Sequence, residues 1–436
     1  MTLQELQEKY GEMQIRLRRE FHRIPEASLQ EHKTAAKIRE ELDRMGVEWR
    51  VCGGPTGTLA RIRGVKPGKT ILLRGDIDGL EVTEQTGVDY ASEHPGFMHA
   101  CGHDCHISML LIAVAMVNDI KDRLAGDVVF AFQPAEEIGR GALMMIEDGC
   151  LDGVDAAYGM HVWSDFPAGK VSVRTGGTMA SGDRFTIKVT GKAGHGAQPH
   201  LCADATVIGA AIVQNLQTIV SREISPIETG VVTVGKFESG TRFNVISGEA
   251  TLIGTTRCFS PEVRKHFPEA MERVAKETAR AMRGDAELIY EELVPPTVND
   301  AALAELVRGS AKKVFGEDCL YDYPPTMGGE DFAQYQLRVP GVMVLVGMEN
   351  AACNAIADGL EEGQSSVGTK LDVSHDAATP VGMHVTAKAE LVEVDRRRLV
   401  FRVTAEDDAG PIGQGTHERF LIMADKFLAK AEAKKG

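Results

Sequence analysis

Met98-His-Ala-Cys-Gly-His-Asp-Cys-His-Ile-Ser-Met-Leu-Leu-Ile-Ala-Val-Ala-Met-Val117 sets a cluster of metal-capable side chains directly against an apolar run. The run 107–117 is apolar on every side, so it predicts a helix buried between layers rather than one lying on the surface. Outward from it, residues 58–63 and 70–74 before the cluster, and 127–132 and 156–158 after it, read as short apolar strands. Strands alternating with helices predict an α/β sheet with crossover helices. Residues 1–50 add two helices, 6–21 and 35–45, whose apolar positions recur at helical spacing on either side of a turn at Pro25.

From residue 183 the rhythm changes. Strand 184–190, helix 203–221, strands 230–237 and 249–258, helix 261–282 and strand 286–291 give the β-α-β-β-α-β order of a ferredoxin-like unit. A helix at 301–314 and a strand at 342–346 then return the chain to the first sheet. This divides the chain into an α/β domain of residues 1–182 and 296–350, an inserted domain of 183–295, and a segment 351–436. In the last, a helix at 351–360 precedes alternating strands at 366–373, 384–394, 399–405 and 417–422, an antiparallel pattern.

The 436 residues exceed what one core usually serves, and 43% hydrophobic with 25% charged residues is globular composition. A net charge of −15 opposes a phosphate backbone, so no nucleic-acid partner is expected. The apolar runs are far shorter than the roughly 20 residues that span a bilayer, and the acidic start MTLQELQEKYGE is unlike a signal peptide. A cytoplasmic protein without a membrane partner is expected. Eight scattered cysteines predict reduced thiols.

Six metal-capable groups stand in the eight positions 99–106, with Cys101 and His103 the better candidates; a helix N-terminus would favour the Cys101 thiolate. Asp76 and Asp78, spaced by two after a strand, share a face and can orient a ligand or support a metal's outer shell. Glu136 and Glu137 reach one site only if Pro134 has ended the preceding strand; Glu137 could then bind metal while Glu136 takes a proton from water. His161 follows a short strand, where open α/β sheets place their sites. His195 sits between glycines in the inserted domain, and Asn244 and Arg257 there can bind a carboxylate or an oxyanion. Gly329, in the turn Gly328-Gly-Glu-Asp-Phe332, completes a site or caps a helix.

The motifs RGDIDGLE, MHACGHDCH, QPAEE, GMHVW, GHGAQPH, FNVI and GGEDF, in this order, resemble the two-metal N-acyl-amino-acid amidohydrolases, which include hippurate and auxin-conjugate hydrolases. The resemblance spans residues 5–349. It implies a metallopeptidase-like catalytic domain and two divalent ions, Mn, Zn, Co or Ni, held by Cys101, His103, Glu137 and His161. It also implies Glu136 as general base toward a metal-bound hydroxide, Asn244 and Gly329 near the substrate, and an N-acyl amino acid as substrate. The inserted domain would form a homodimer and carry His195 into the partner's site.

The family's last metal ligand, a His in a His-Pro segment beyond Glu349, has no counterpart. Residues 351–436, with GQSSVGTKLDVSHDAATPVGMHV and GPIGQGTHERFLI, instead resemble part of a hot-dog thioesterase related to fluoroacetyl-CoA thioesterase. There His375 takes the place of that family's active-site His, and Glu349 can stand for its Glu. Met348-Glu349-Asn350 suits both parents, so the chain reads as a fusion inside two incomplete domains. Two alternatives follow: a metal- or peptide-binding scaffold impaired by the missing His, or acyl-CoA hydrolysis by the C-terminal segment.

Overall fold

A computed structural model describes residues 2–349, 364–375, 386–407 and 410–423. A mixed sheet runs in the spatial order Trp49–Val51, Thr58–Ile62, Val128–Gln133, Ile71–Asp76, Ala156–Pro167, Gly341–Glu349 and Val171–Ser172. Val128–Gln133 is buried at every position, as an apolar run between two layers demands, and pairs in parallel with Ile71–Asp76 through Leu73 and Phe130.

Helices Leu3–His22, His32–Arg44 and His103–Asp119 cover one face of the sheet, burying Leu17, Phe21, Ile38, Leu42, Ile107 and Leu111 against Phe130. The first is closed by a capping box between Thr2 and Glu5. The third begins at His103, four residues before the apolar run, so the motif's own histidines form its first turn. Gly102 precedes it at φ 90°, and a Cβ there would meet Val162 Cγ2 at 2.4 Å, so only glycine suits the position.

The expected strand 156–158 extends to Pro167, because Gly341–Glu349 pairs with it in parallel from Ala157 onward. Its pairing with Ile71–Asp76 stops at Gly159, and the rest runs on past that neighbour. His161 therefore lies within this strand rather than after it.

Between residues 182 and 294 a second sheet has the antiparallel order Gly230–Ser239, Glu249–Cys258, Gly182–Thr190, Asp285–Val294, which is ferredoxin-like. Alternate residues Phe185, Ile187 and Val189 face helices Ala205–Thr218 and Pro261–Ala281, and the core closes on Leu252 and Phe267. Asp204 and Ser260 cap the two helices.

A third antiparallel sheet orders Gln364–His375, Gly410–Met423, Arg398–Asp407 and Thr386–Asp395, the strand-rich part of the hot-dog-like segment. The helix expected at 351–360 lies outside the described residues. Among the described residues no helix is long and apolar enough to cross a membrane.

Candidate metal centre

Two loops, the first turn of a helix and one strand bring the donors together. The strand Val128–Gln133 ends before Pro134, and Ala135 adopts φ 55°, turning the chain so that Glu136 and Glu137 both line one cleft. That turn is held by buried Glu31, whose Oε1 accepts the Ala135 N–H at 2.9 Å. Donor atoms of Cys101, His103 and His161 lie within 4.8 Å of one another, as do those of His103, Glu136 and Glu137.

Hydrogen bonding fixes which atoms are free. His103 Nδ1 meets the Asp78 carbonyl at 2.9 Å and its Oδ1 at 3.2 Å, so its Nε2 is left facing the cluster. Asp78 Oδ2 accepts from Ser28 Oγ at 2.7 Å and from the Glu137 N–H at 3.1 Å, tying both loops to one carboxylate. His161 Nδ1 lies 2.6 Å from the Val162 carbonyl, which leaves its Nε2 likewise free. His103 Nε2 and Glu137 Oε1 are buried, 3.8 Å apart, and without a hydrogen-bond partner. Two orphaned lone pairs beside a thiol and a second imidazole suit a borderline-soft divalent metal.

The remaining members of the 99–106 cluster serve other ends. His106 spends both nitrogens, on Asp76 Oδ1 at 2.5 Å and on the Val162 N–H at 3.0 Å. Asp104 pairs with Arg18 at 2.8 Å and His22 at 2.7 Å, anchoring the first helix to the third. Against the cost of burial, these partners hold Asp104 down at about 2. Burial pushes His99 down to about 4 and the Cys105 thiol up to about 11.

Cys101 sits two positions before the helix, and burial, with the Glu137 carboxylate beside it, pushes its thiol up despite His103.

Behind the donors lies a network that joins residues of the motifs RGDIDGLE, QPAEE and GGEDF. Arg74, fully buried within its strand, donates to Asp76 at 2.5 Å, to Glu330 and Asp331 at 2.8 Å each, and to Gln133 at 2.9 Å. Arg74 and the two histidines hold Asp76 well below the usual range in spite of its burial. Burial and the neighbouring Glu330 and Asp331 carboxylates raise Glu136 well above it. An arginine inside an apolar strand was the available signal, since a buried guanidinium requires acceptors.

In front of the donors opens a cleft of about 570 Å³, with Glu136, Glu137 and Gly329 on one wall and Arg257, Lys236 and Arg184 of the second sheet on the other. Arg257 is steadied by its bonds to Thr255 Oγ1 and to the Thr256 carbonyl at 3.0 Å. His195 is not among the side chains whose donor atoms cluster in the described residues. It lies exposed in the strand Gly194–His195, which pairs with Val245–Ile246; exposed Asn244 directly precedes that partner strand, and its carbonyl accepts the Gly196 N–H at 2.9 Å. Glu349 and His375 end described strands, but their side chains lie outside the described residues.

Residues 72–371 match the sequence pattern of peptidase family M20/M25/M40. The chain belongs to that family. N-acetyl-L-cysteine deacetylase of Bacillus subtilis is 40% identical over 335 residues, covering 77% of this chain and 80% of the relative. N-acyl-L-amino acid amidohydrolase of Geobacillus stearothermophilus is 40% identical over 303 residues, covering 69% and 82%. Among solved structures, the Bacillus subtilis YXEP protein, described as a dinuclear metal binding peptidase from the M20 family, superposes with a TM-score of 0.70 at 36% identity, covering 78% of this chain and 89% of that one. Residues 338–425 match a second pattern, that of fluoroacetyl-CoA-specific thioesterase. The chain is thus an M20 hydrolase of the amidohydrolase kind joined to a thioesterase-like segment.

Proposed function

We propose that this chain hydrolyses the amide bond of N-acyl amino acids, with Cys101, His103, Glu137 and His161 holding two divalent ions drawn from Mn, Zn, Co and Ni. The observation that carries the reading is the pair of buried, unpartnered lone pairs on His103 Nε2 and Glu137 Oε1 beside Glu136. When bound, the metals supply Lewis acidity to the acyl carbonyl and make water a stronger nucleophile near neutral pH.

The chain's own residues do the rest. Glu136 accepts a proton from the attacking water on its carboxylate and returns it to the nitrogen of the leaving amine, so one group serves as base and then acid. Asp78 keeps the His103 ring in the tautomer that frees Nε2. Arg257 receives the amino acid's carboxylate across the cleft from Glu136, with Gly329 beside it. His195, delivered with Asn244 by a second copy of the chain through residues 183–295, donates to the tetrahedral oxyanion. In this scheme residues 1–182 and 296–350 form the catalytic domain, residues 351–436 the thioesterase-like segment, and the enzyme works in the cytoplasm.

Manganese-loaded protein is expected to release free amino acid from a panel of N-acyl amino acids, and a chelator to stop that release. Acyl-CoA offered beside them tests the second reading, which the match over residues 338–425 favours. Metal-replete protein that releases no amino acid would overturn the amidase reading and leave an impaired metal-binding scaffold.

A further inference from the structure

The general base assigned above has an unusual setting. Its backbone is fixed by the turn at Ala135 and by the Gly139 N–H, which bonds the Glu136 carbonyl at 2.7 Å. Among the described residues no hydrogen bond fixes its carboxylate. Two further carboxyl groups lie beside that carboxylate: carboxyl oxygens of Glu136, Glu330 and Asp331 stand within 4.8 Å of one another.

The two lower carboxylates cannot move aside. Asp331 is saturated, taking Arg74 and Gln133 on Oδ1 at 2.8 Å each, and Gln133 at 2.9 Å with the Ala142 N–H at 3.0 Å on Oδ2. Glu330 is pinned by one oxygen only: Oε1 accepts from Arg74 at 2.8 Å and from the Phe332 N–H at 3.0 Å. Its Oε2 is buried and has no partner, although the residue is only 1% exposed. An acceptor left bare in the interior is costly, and persists where something else depends on it.

We propose that Glu330 is a positioning residue for Glu136, its pinned and bare carboxylate forming with Asp331 a like-charged floor that keeps the base's carboxylate raised toward His103 and the cleft. The inference rests on the reading of Glu136 as the base. Retreat of Glu136 toward the floor crowds carboxylates together in a site of low dielectric, whereas the raised position faces the His103 ring. Arg74 enforces this indirectly, since it holds both floor carboxylates in place without reaching Glu136.

The test is Glu330→Gln. The substituted side chain keeps the oxygen that Arg74 and Phe332 use, and places an amide N–H₂ where Oε2 stood, so the floor becomes a donor and draws Glu136 down. The expected result is a fall in kcat of about tenfold or more, part of the roughly 10²–10⁴-fold that a positioned base supplies. KM, bound metal and melting temperature stay at their wild-type values, and Glu330→Asp, which keeps the charge, retains most of kcat. Between crystals of metal-loaded wild type and metal-loaded Glu330→Gln, the Glu136 carboxylate shifts to within hydrogen-bond distance of the new amide. An unmoved carboxylate, an unchanged kcat, equal losses in both variants, or a Glu330→Gln chain that does not fold would each overturn the proposal. Should the wild type release no amino acid, the amidase reading fails, and the crystallographic comparison still decides this one.

Discussion

Glu136→Gln is expected to lower kcat for N-acyl amino acid hydrolysis by about 10²–10⁴-fold while leaving bound metal unchanged. The substitution keeps the size of the side chain and removes only its ability to take a proton. Glu136 is the one carboxylate of the cleft that combines three properties: it lies beside His103 and Glu137, it lines the cleft opposite Arg257, and its proton affinity is raised by burial and by Glu330 and Asp331. Glu137 is unlike it, because one of its oxygens is an orphan within the donor cluster and its backbone N–H is tied to Asp78. Glu137→Gln should accordingly cost metal as well as turnover. Steady-state kinetics paired with metal analysis separates the two, and a Glu136→Gln enzyme within about threefold of wild type would remove Glu136 from the role of base.

Arg74→Leu is expected to destabilise the fold by about 3–5 kcal/mol, the cost of stripping the partner from a buried charge. The guanidinium is wholly buried, and its loss leaves Asp76, Glu330 and Asp331 without their shared cation. The comparison that makes this a statement about burial is Arg61→Leu. Arg61 pairs with Asp127 at 2.7 Å, within the 2.5–2.9 Å range of Arg74's own contacts, but its side chain is 39% exposed, and such pairs are worth about 1 kcal/mol or less. Denaturant unfolding of the two variants should therefore differ widely. A loss below about 1 kcal/mol for Arg74→Leu would show that water reaches the network.

The sequence carried the order of elements because hydrophobic period reports burial. The run 107–117 is buried on both sides of its helix, and alternate residues of Gly182–Thr190 face one core. Strand ends were less legible. Nothing local in residues 159–167 tells that a strand from residue 341 will pair alongside them, and so His161 was placed after a strand that in fact contains it.

The donors of the candidate site were legible because each belongs to a short motif next to an apolar run, and spacing alone showed that Pro134 had to end a strand for Glu136 and Glu137 to share a cleft. The Arg74 network was not, because its acceptors Glu330 and Asp331 lie 256 and 257 residues away. Long-range pairing leaves no mark on local pattern beyond an arginine where an apolar residue belongs. The burial of the Cys101 thiol was illegible for a related reason: proximity to a helix start is visible in sequence, whereas burial is not.

The central claim is that Cys101, His103, Glu137 and His161 form a working dinuclear centre although no His-Pro segment follows Glu349 in the chain. Elemental mass spectrometry of purified protein, incubated with manganese and freed of unbound metal, tests it most directly. Two metal ions per chain are predicted, falling in a Cys101→Ala, His103→Ala double variant that remains folded. One ion or none per wild-type chain would contradict the claim and show that these four donors do not close a dinuclear site by themselves.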